Sequence, residues 1–188
     1  SFHLDKYEVT NAEFLEFIMA NPSFQKSQMT SNRNDLDYLK RWSGDQSFSS
    51  ELKNIPVVFV SQIVAAAYCQ WRGKRLPTDL EWSMAAGEGK RNYPWGNQPP
   101  NDKLANFDKG FLGDPTPGDS HPAGVTPEGV MHMAGNVWEW TSTIRGSKGI
   151  ARGGCYFDKQ DILHNENKRM TGDPPTYSSR FTGFRCAK

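Results

Sequence analysis

Long apolar runs are missing from this 188-residue chain, and no stretch approaches the ~20 residues that a membrane-spanning helix needs. The opening residues carry no targeting pattern. A surplus of either charge is missing too. The chain has 22 Lys and Arg against 21 Asp and Glu, without a concentrated basic patch, which argues against nucleic acid or an anionic membrane as partner. Cysteine is scarce: Cys69, Cys155 and Cys186 are too few for a disulfide scaffold, and their spacing fits no zinc motif. One bridge with one free thiol, or three free thiols, remain open. No repeat with a period of ~20 to 50 residues is present, which excludes solenoids and propellers.

What the chain has instead is aromatic mass. Six tryptophans and eleven phenylalanines offset a hydrophobic fraction of only 36%, because each ring removes a large apolar area from water. Together with the chain length they predict one domain, residues 1–188, with an aromatic-rich core. The chain opens at Ser1 inside an ordered-looking segment, so a trimmed or mature fragment is expected; membership of a larger multidomain chain is a separate expectation.

Residues 10–20 read as a short helix in which Thr10 caps the first amides, Glu13 reaches back, and Phe14, Phe17 and Ile18 form the buried stripe. Residues 21–54 read as loop, with a short helix near 35–42 and with Trp42 and Phe48 as anchors. The run PVVFV at 56–60 suits either a buried strand or a positioned extended segment. A helix follows from Ser61 to a stop at Gly73 and carries Cys69. The clearest helix start lies at 77–81, where Thr78 and Glu81 form a capping-box pair ahead of Trp82 and Ala85. Strands are expected at 137–142, 149–157 and 181–186. Residues 93–126 are polar and aperiodic; a loop that long is functional or tied down, and calcium is one candidate clamp, while 158–180 is a second polar loop.

Arg152 and Arg185 flank glycine-rich extended segments and call for buried acids, with Glu139 and Glu81 the obvious partners. In GNVWEW, Trp138 and Trp140 face one side of an extended segment, either as a core pair or as a ligand-stacking surface. In the 158–180 loop, Asn165, Asn167, Arg169 and Tyr177 offer amide, guanidinium and ring contacts suited to a protein, a peptide or a small polar ligand. His164, Glu166 and Asp158 supply two carboxylates and a histidine, the donor set of an iron-type facial triad. Cys155 could act as a nucleophile only with a base such as His164 in reach, and is otherwise a buried structural thiol.

Taken in order, KYEVTNAEF at 6–14, GKRLPTDLEW at 73–82, YPWGN at 93–97, MAGNVWEW at 133–140, RGG at 152–154 and GFRCA at 183–187 resemble the formylglycine-generating enzyme, or sulfatase-modifying factor, family. The resemblance spans residues 6–187. It implies an α+β fold, a variant of the C-type lectin fold with much irregular structure. It also implies one or two calcium sites, of which the second is not expected to be intact here. The first takes Asn106, the Phe107 carbonyl and a later acid, Asp119. The second takes carbonyls near Gly135 and Val137 and the carboxylate of Glu139, with His132, a poor ligand for a hard cation, standing where the family has Asp or Asn.

The same resemblance implies a disulfide between Cys69 and Cys186, and with it a periplasmic, secreted or cell-surface location. Oxygen activation in the family needs a copper-binding pair of cysteines after RGG. Here Asp158 and Leu163 stand at those positions, and Cys155 falls where the family commonly has serine. The expectation is a non-catalytic recognition or protein-interaction module that binds a peptide or polar ligand through the 158–180 region. The alternative is a metal-dependent oxidase or maturation enzyme with a non-cysteine centre. A sulfatase-activating oxidase is not expected.

Overall fold

Thr10 has an extended backbone and accepts the Glu13 amide on its hydroxyl, while the Glu13 carboxylate accepts the Thr10 amide in return. This reciprocal cap opens α1, Asn11–Ala20, and turns Phe14, Phe17 and Ile18 into the interior. The computed structural model describes all residues except 33–35 and 171–174, and no side chains for 31, 32 and 168–170. A 3-10 turn, Pro22–Phe24, leads into α2, Lys26–Asn32, within the stretch read as loop. No helix forms over residues 36–41, which make turns. The physical reason is Leu39, which takes a left-handed φ of 48° and gives its amide to the Phe59 carbonyl. Asp35 itself lies outside the described residues.

Ser61 caps α3, Gln62–Trp71, and Gly73 stops it with a φ of 70°. Thr78 and Glu81 form the second capping box, at the head of α4, Asp79–Ala86, which Gly87 ends in the left-handed region. PVVFV is the extended segment and not a sheet strand. Val57 bonds to Val9, and Phe59, at a φ of 59°, turns the chain towards α3.

The sheet runs β3-β2-β1-β4, with β1 Trp138–Arg145, β2 Lys148–Arg152, β3 Lys168–Met170 and β4 Thr182–Gly183. β1 and β2 form an antiparallel hairpin turned at Gly146, while β4 lies parallel to β1, pairing Thr182 with Trp138. The strand expected over 149–157 stops at Arg152 because Gly153 and Gly154 take φ of 99° and 78°. The strand expected over 181–186 joins the sheet only at Thr182–Gly183. Beyond it, Phe184 and Cys186 bond to Val9 and Asp5 at the start of the chain.

Aromatic rings fill the core between α1, α3 and the sheet. Phe14 contacts Phe17, Tyr68, Trp42 and Phe184 at centroid distances of 5.4 to 6.3 Å. Burying one such ring contributes about 2 to 3 kcal/mol. Trp42 and Phe48 do pack together, at 4.8 Å. Cys69 of α3 and Cys186 form a disulfide with their Cα atoms 5.6 Å apart.

One buried side chain bonds to several points of the long segment 93–126. Asn136 is fully buried with a φ of 62°; its Oδ1 accepts from Asn106 Nδ2 and from the Thr116 amide, and its Nδ2 donates to Glu8 Oε1. A sequence reading takes the Gly135–Asn136 pair only as a tight turn. The same left-handed backbone that makes the turn aims the amide into the loop.

Candidate functional site

The site grows from the glycine pair after β2. A Cβ on Gly154 would meet Leu163 at 2.8 Å, and one on Gly153 would meet Trp82 at 3.1 Å, so the chain can pivot here only without side chains. The pivot buries Cys155 and Tyr156 and leaves Phe157 half-exposed at the surface. Asp158 closes the following turn by accepting the Cys155 amide at 2.9 Å. Burial pushes the Cys155 thiol up to about 12, and the Asp158 charge adds to the effect, so the thiol stays protonated at neutral pH.

Beside this turn lies a cavity of about 380 Å³ walled by Trp138, Phe157, Ile162 and Phe181, with Cys155, Asp158 and Asn167 also lining it. Phe181 is a shared wall. It also lines a polar cleft of about 590 Å³, together with Lys40, Arg41, Asp114, Tyr156, Tyr177 and Arg180, among others. The rings of Phe157 and Phe181 are 5.5 Å apart, and Phe111 adds a further ring 4.7 Å from Phe157.

The residues singled out from the sequence divide between this site and the scaffold. Trp138 and Asn167 line the apolar cavity and Tyr177 the cleft. Trp140, by contrast, is core, with its indole N–H on the Val60 carbonyl. Asn165 is buried, and its amide donates to the carbonyls of Ala86 and Arg91. Arg169 belongs to β3, with its side chain outside the described residues.

The metal-capable trio does not converge. His164 Nε2 lies 3.1 Å from the Tyr93 hydroxyl, Glu166 is exposed and Asp158 holds the Cys155 amide. Among the described residues no three His, Cys, Asp or Glu side chains gather as a metal site. Arg185 pairs with Glu139, as its position suggested. Arg152 does not use Glu81: it bonds to Asp79, because Glu81 turns back over the helix cap and forms a two-pronged pair with Arg75 at 2.6 Å on each arm. That pairing with Arg75 pulls the Glu81 carboxyl down to about 2.

The sulfatase-modifying factor enzyme 1-like domain matches the chain over residues 1–188. The chain belongs to this family. It is 31% identical over 229 residues to the mouse inactive C-alpha-formylglycine-generating enzyme 2, covering 99% of this chain and 74% of that protein. It is 34% identical over 214 residues to the serine/threonine-protein kinase Pkn1 of Chlamydia trachomatis, but spans only 33% of the kinase, so the domain occurs within larger multidomain chains. Identity to the hercynine oxygenase of Mycolicibacterium smegmatis is 33% over 160 residues, covering 76% of this chain and 37% of the oxygenase. Among solved structures, Treponema denticola variable protein 1 superposes with a TM-score of 0.71 at 17% identity, over 99% of this chain and 84% of that one, which establishes the shared fold.

Asp158 and Leu163 stand where the resemblance described above implies a pair of cysteines. Asp158 lines the apolar cavity and Leu163 is buried against Tyr93, Ala105 and Ala134. The residues of the second calcium position do not suit that ion. Both Glu139 oxygens accept from Arg185, and one also accepts the Trp82 indole N–H, so a calcium ion would stand directly against a buried guanidinium. His132 gives no oxygen; its Nε2 bonds to the Ser120 carbonyl, and burial pushes the imidazole down to about 4, which keeps it neutral. The first position differs. Asn106 uses its amide nitrogen on Asp114 and Asn136, while neither its Oδ1 nor the Phe107 carbonyl accepts a hydrogen bond among the described residues. Asp119 is exposed on the same loop.

Among the described residues no helix is long and apolar enough to cross a membrane. The disulfide is compatible with a secreted or periplasmic setting. Asn136, Tyr156, Phe157, Arg180 and Phe181 escaped the sequence reading. The available signal was the adjacency of ring and charge in Tyr156-Phe157-Asp158 and Arg180-Phe181, which no periodicity test weighs.

Proposed function

We propose that the chain is a non-catalytic recognition domain of the sulfatase-modifying factor family that holds a peptide or polar ligand across the apolar cavity and the adjoining cleft. One observation carries this reading. Where the family's copper chemistry calls for two thiolates, Asp158 is tied to a backbone amide and Leu163 is packed in the interior, and the one free thiol is kept protonated. A relative whose name marks it as inactive supports the reading, as do kinases in which such a domain is one part of a longer chain. Trp138, Asn167 and Tyr177 supply ligand contacts, and Asn165 stabilises the loop behind them. A periplasmic, secreted or cell-surface location suits the disulfide.

Peptides selected by display on the purified domain are expected to lose affinity about tenfold or more on Phe157→Ala or Tyr177→Ala. Copper-loaded protein is expected to leave the cysteine of a sulfatase-derived peptide unchanged. Conversion of that cysteine to an aldehyde, or failure to select any ligand, overturns the reading.

One calcium ion is the proposed cofactor, held by Asn106 Oδ1, the Phe107 carbonyl and Asp119. Neutral oxygens on irregular backbone, completed by a carboxylate, are the donors this ion takes. Millimolar calcium should raise the thermal midpoint and EDTA should reverse the rise. Asp119→Asn should weaken the effect; an unchanged midpoint in the wild-type protein removes the site.

A further inference from the structure

The cleft next to the apolar cavity holds three cations and two acids, and their pairing is uneven. Lys40 is bonded to Asp37 and Arg41 to Asp114, each at 2.7 Å, so both of these cations are neutralised locally. Arg180 forms no ion pair with any described residue. Its Nε donates to the Tyr156 hydroxyl at 2.9 Å, and its guanidinium lies over the rings of Tyr156 and Phe181, 5.9 and 5.5 Å from their centroids. Held at Nε and set over two rings, the guanidinium keeps its terminal N–H fork unspent on any described residue. That fork matches a carboxylate in two parallel hydrogen bonds, and little side-chain freedom is left to lose when it binds.

Phe181 connects this fork to the apolar cavity, since its ring carries Arg180 at 5.5 Å and also lines the cavity. The cavity has room for one apolar side chain, between Trp138, Phe157, Ile162 and Phe181. We infer that the ligand of this site is an acidic peptide, which places an apolar side chain in the cavity beside Trp138 and a nearby carboxylate on the Arg180 fork. Resting on the recognition reading above, this inference adds the ligand's chemistry. The carboxylate comes from an Asp or Glu side chain or from the peptide's own C-terminus, and the two sources share the same chemistry at the fork.

A peptide array tests it. One Phe and one Glu are moved relative to each other along a Gly-Ser background. Each peptide has a Gln and a Lys counterpart in place of Glu, and is made with a free and an amidated C-terminus. Full-length protein should bind a subset of the Phe/Glu or free-C-terminus peptides, at least about tenfold more tightly than their Gln or amidated counterparts, and the Lys versions should be weakest. Arg180→Gln should erase that preference, with the acidic peptides losing at least about tenfold more affinity than their Gln counterparts. Arg180→Lys should restore it only in part, because a point charge lacks the fork. In the wild-type protein, added salt should weaken the acidic peptides more than the Gln ones, a readout that needs no variant.

A preference for internal Glu assigns the carboxylate to a side chain, and one for the free C-terminus assigns it to the chain end; both support the inference. Peptides that bind with no regard to charge or to Arg180 overturn it and leave the recognition reading standing. An array in which nothing binds, including Phe peptides without charge, overturns both.

Discussion

Reduction of the Cys69–Cys186 bridge should lower the unfolding free energy by roughly 4 to 5 kcal/mol, the loop-closure value for a bridge spanning about a hundred residues. For a domain whose whole stability is of order 5–15 kcal/mol, that is a large share. The bridge has this leverage because of what it joins. Cys69 sits on α3, while the segment around Cys186 carries the pairings that close the chain on itself: His3 with Lys188 in both directions, Asp5 with Cys186, Val9 with Phe184, and Arg75 with Ala187. With the bridge open, these bonds and the packing of Phe184 against Tyr68 must hold both chain ends alone. Urea unfolding with and without a thiol reductant, repeated on a Cys69→Ala/Cys186→Ala double variant, checks the value. Equal midpoints in all three preparations would show that the ends are secured without the bridge.

How much of this fold was legible depends on the range of the forces involved. The helices at Thr10, Ser61 and Thr78 were readable because a cap and its apolar stripe lie within a few residues of each other. Helix α2 was not: it has no capping signal of its own, and its anchor is the Ser27 amide and hydroxyl on Asp45, a distant carboxylate. Strand ends were misjudged at Gly153, where the backbone leaves the extended region and apolar character continues through Cys155 and Tyr156. At the site, Trp138 and Tyr177 could be proposed from residue type alone. Arg180 could not, because its meaning lies in which acids are already taken by Lys40 and Arg41. Asp79 was overlooked as the partner of Arg152 because it reads as an ordinary helix-start acid; only the packing of α4 on β2 turns it inward.

The two positions that the resemblance sets against a cysteine pair link sequence to packing. A leucine at 163 does more than remove a thiol: it joins a small apolar cluster and packs against the place where Gly154 has no side chain. Restoring two cysteines by Asp158→Cys and Leu163→Cys would therefore open a void at 163 and free the Cys155 amide at 158. The recognition reading and the packing thus rest on the same residues.

Arg185→Met should be the most damaging single substitution, with a cost of about 3 to 5 kcal/mol at neutral pH, because it strands the buried Glu139 carboxylate. Arg185 is fully buried; it holds Glu139 through two bonds of 2.7 and 2.6 Å, spans the carbonyls of Asp5, Lys6 and Met131, and lies 4.0 Å from Glu8. One cation thus serves two carboxyls. Burial pushes both of them up and Arg185 pulls both down. Glu139 has the bonded guanidinium and the Trp82 indole, whereas Glu8 has one amide on Oε1 and, on Oε2, no hydrogen bond among the described residues and only the Arg185 guanidinium at 4.0 Å, so Glu8 is the one that keeps its proton. A carboxyl raised in the folded state contributes stability that is full below its unfolded value and is lost as pH rises through its folded value. Glu8→Gln should therefore cost little and should flatten the decline of stability above the ordinary carboxylate range, while Glu139→Gln should cost several times more by leaving Arg185 uncompensated. Urea unfolding of the three variants across pH 4 to 8 reads these differences. If Glu8→Gln proves as costly as Glu139→Gln, the negative charge is shared between the two acids and the assignment of the proton to Glu8 is wrong.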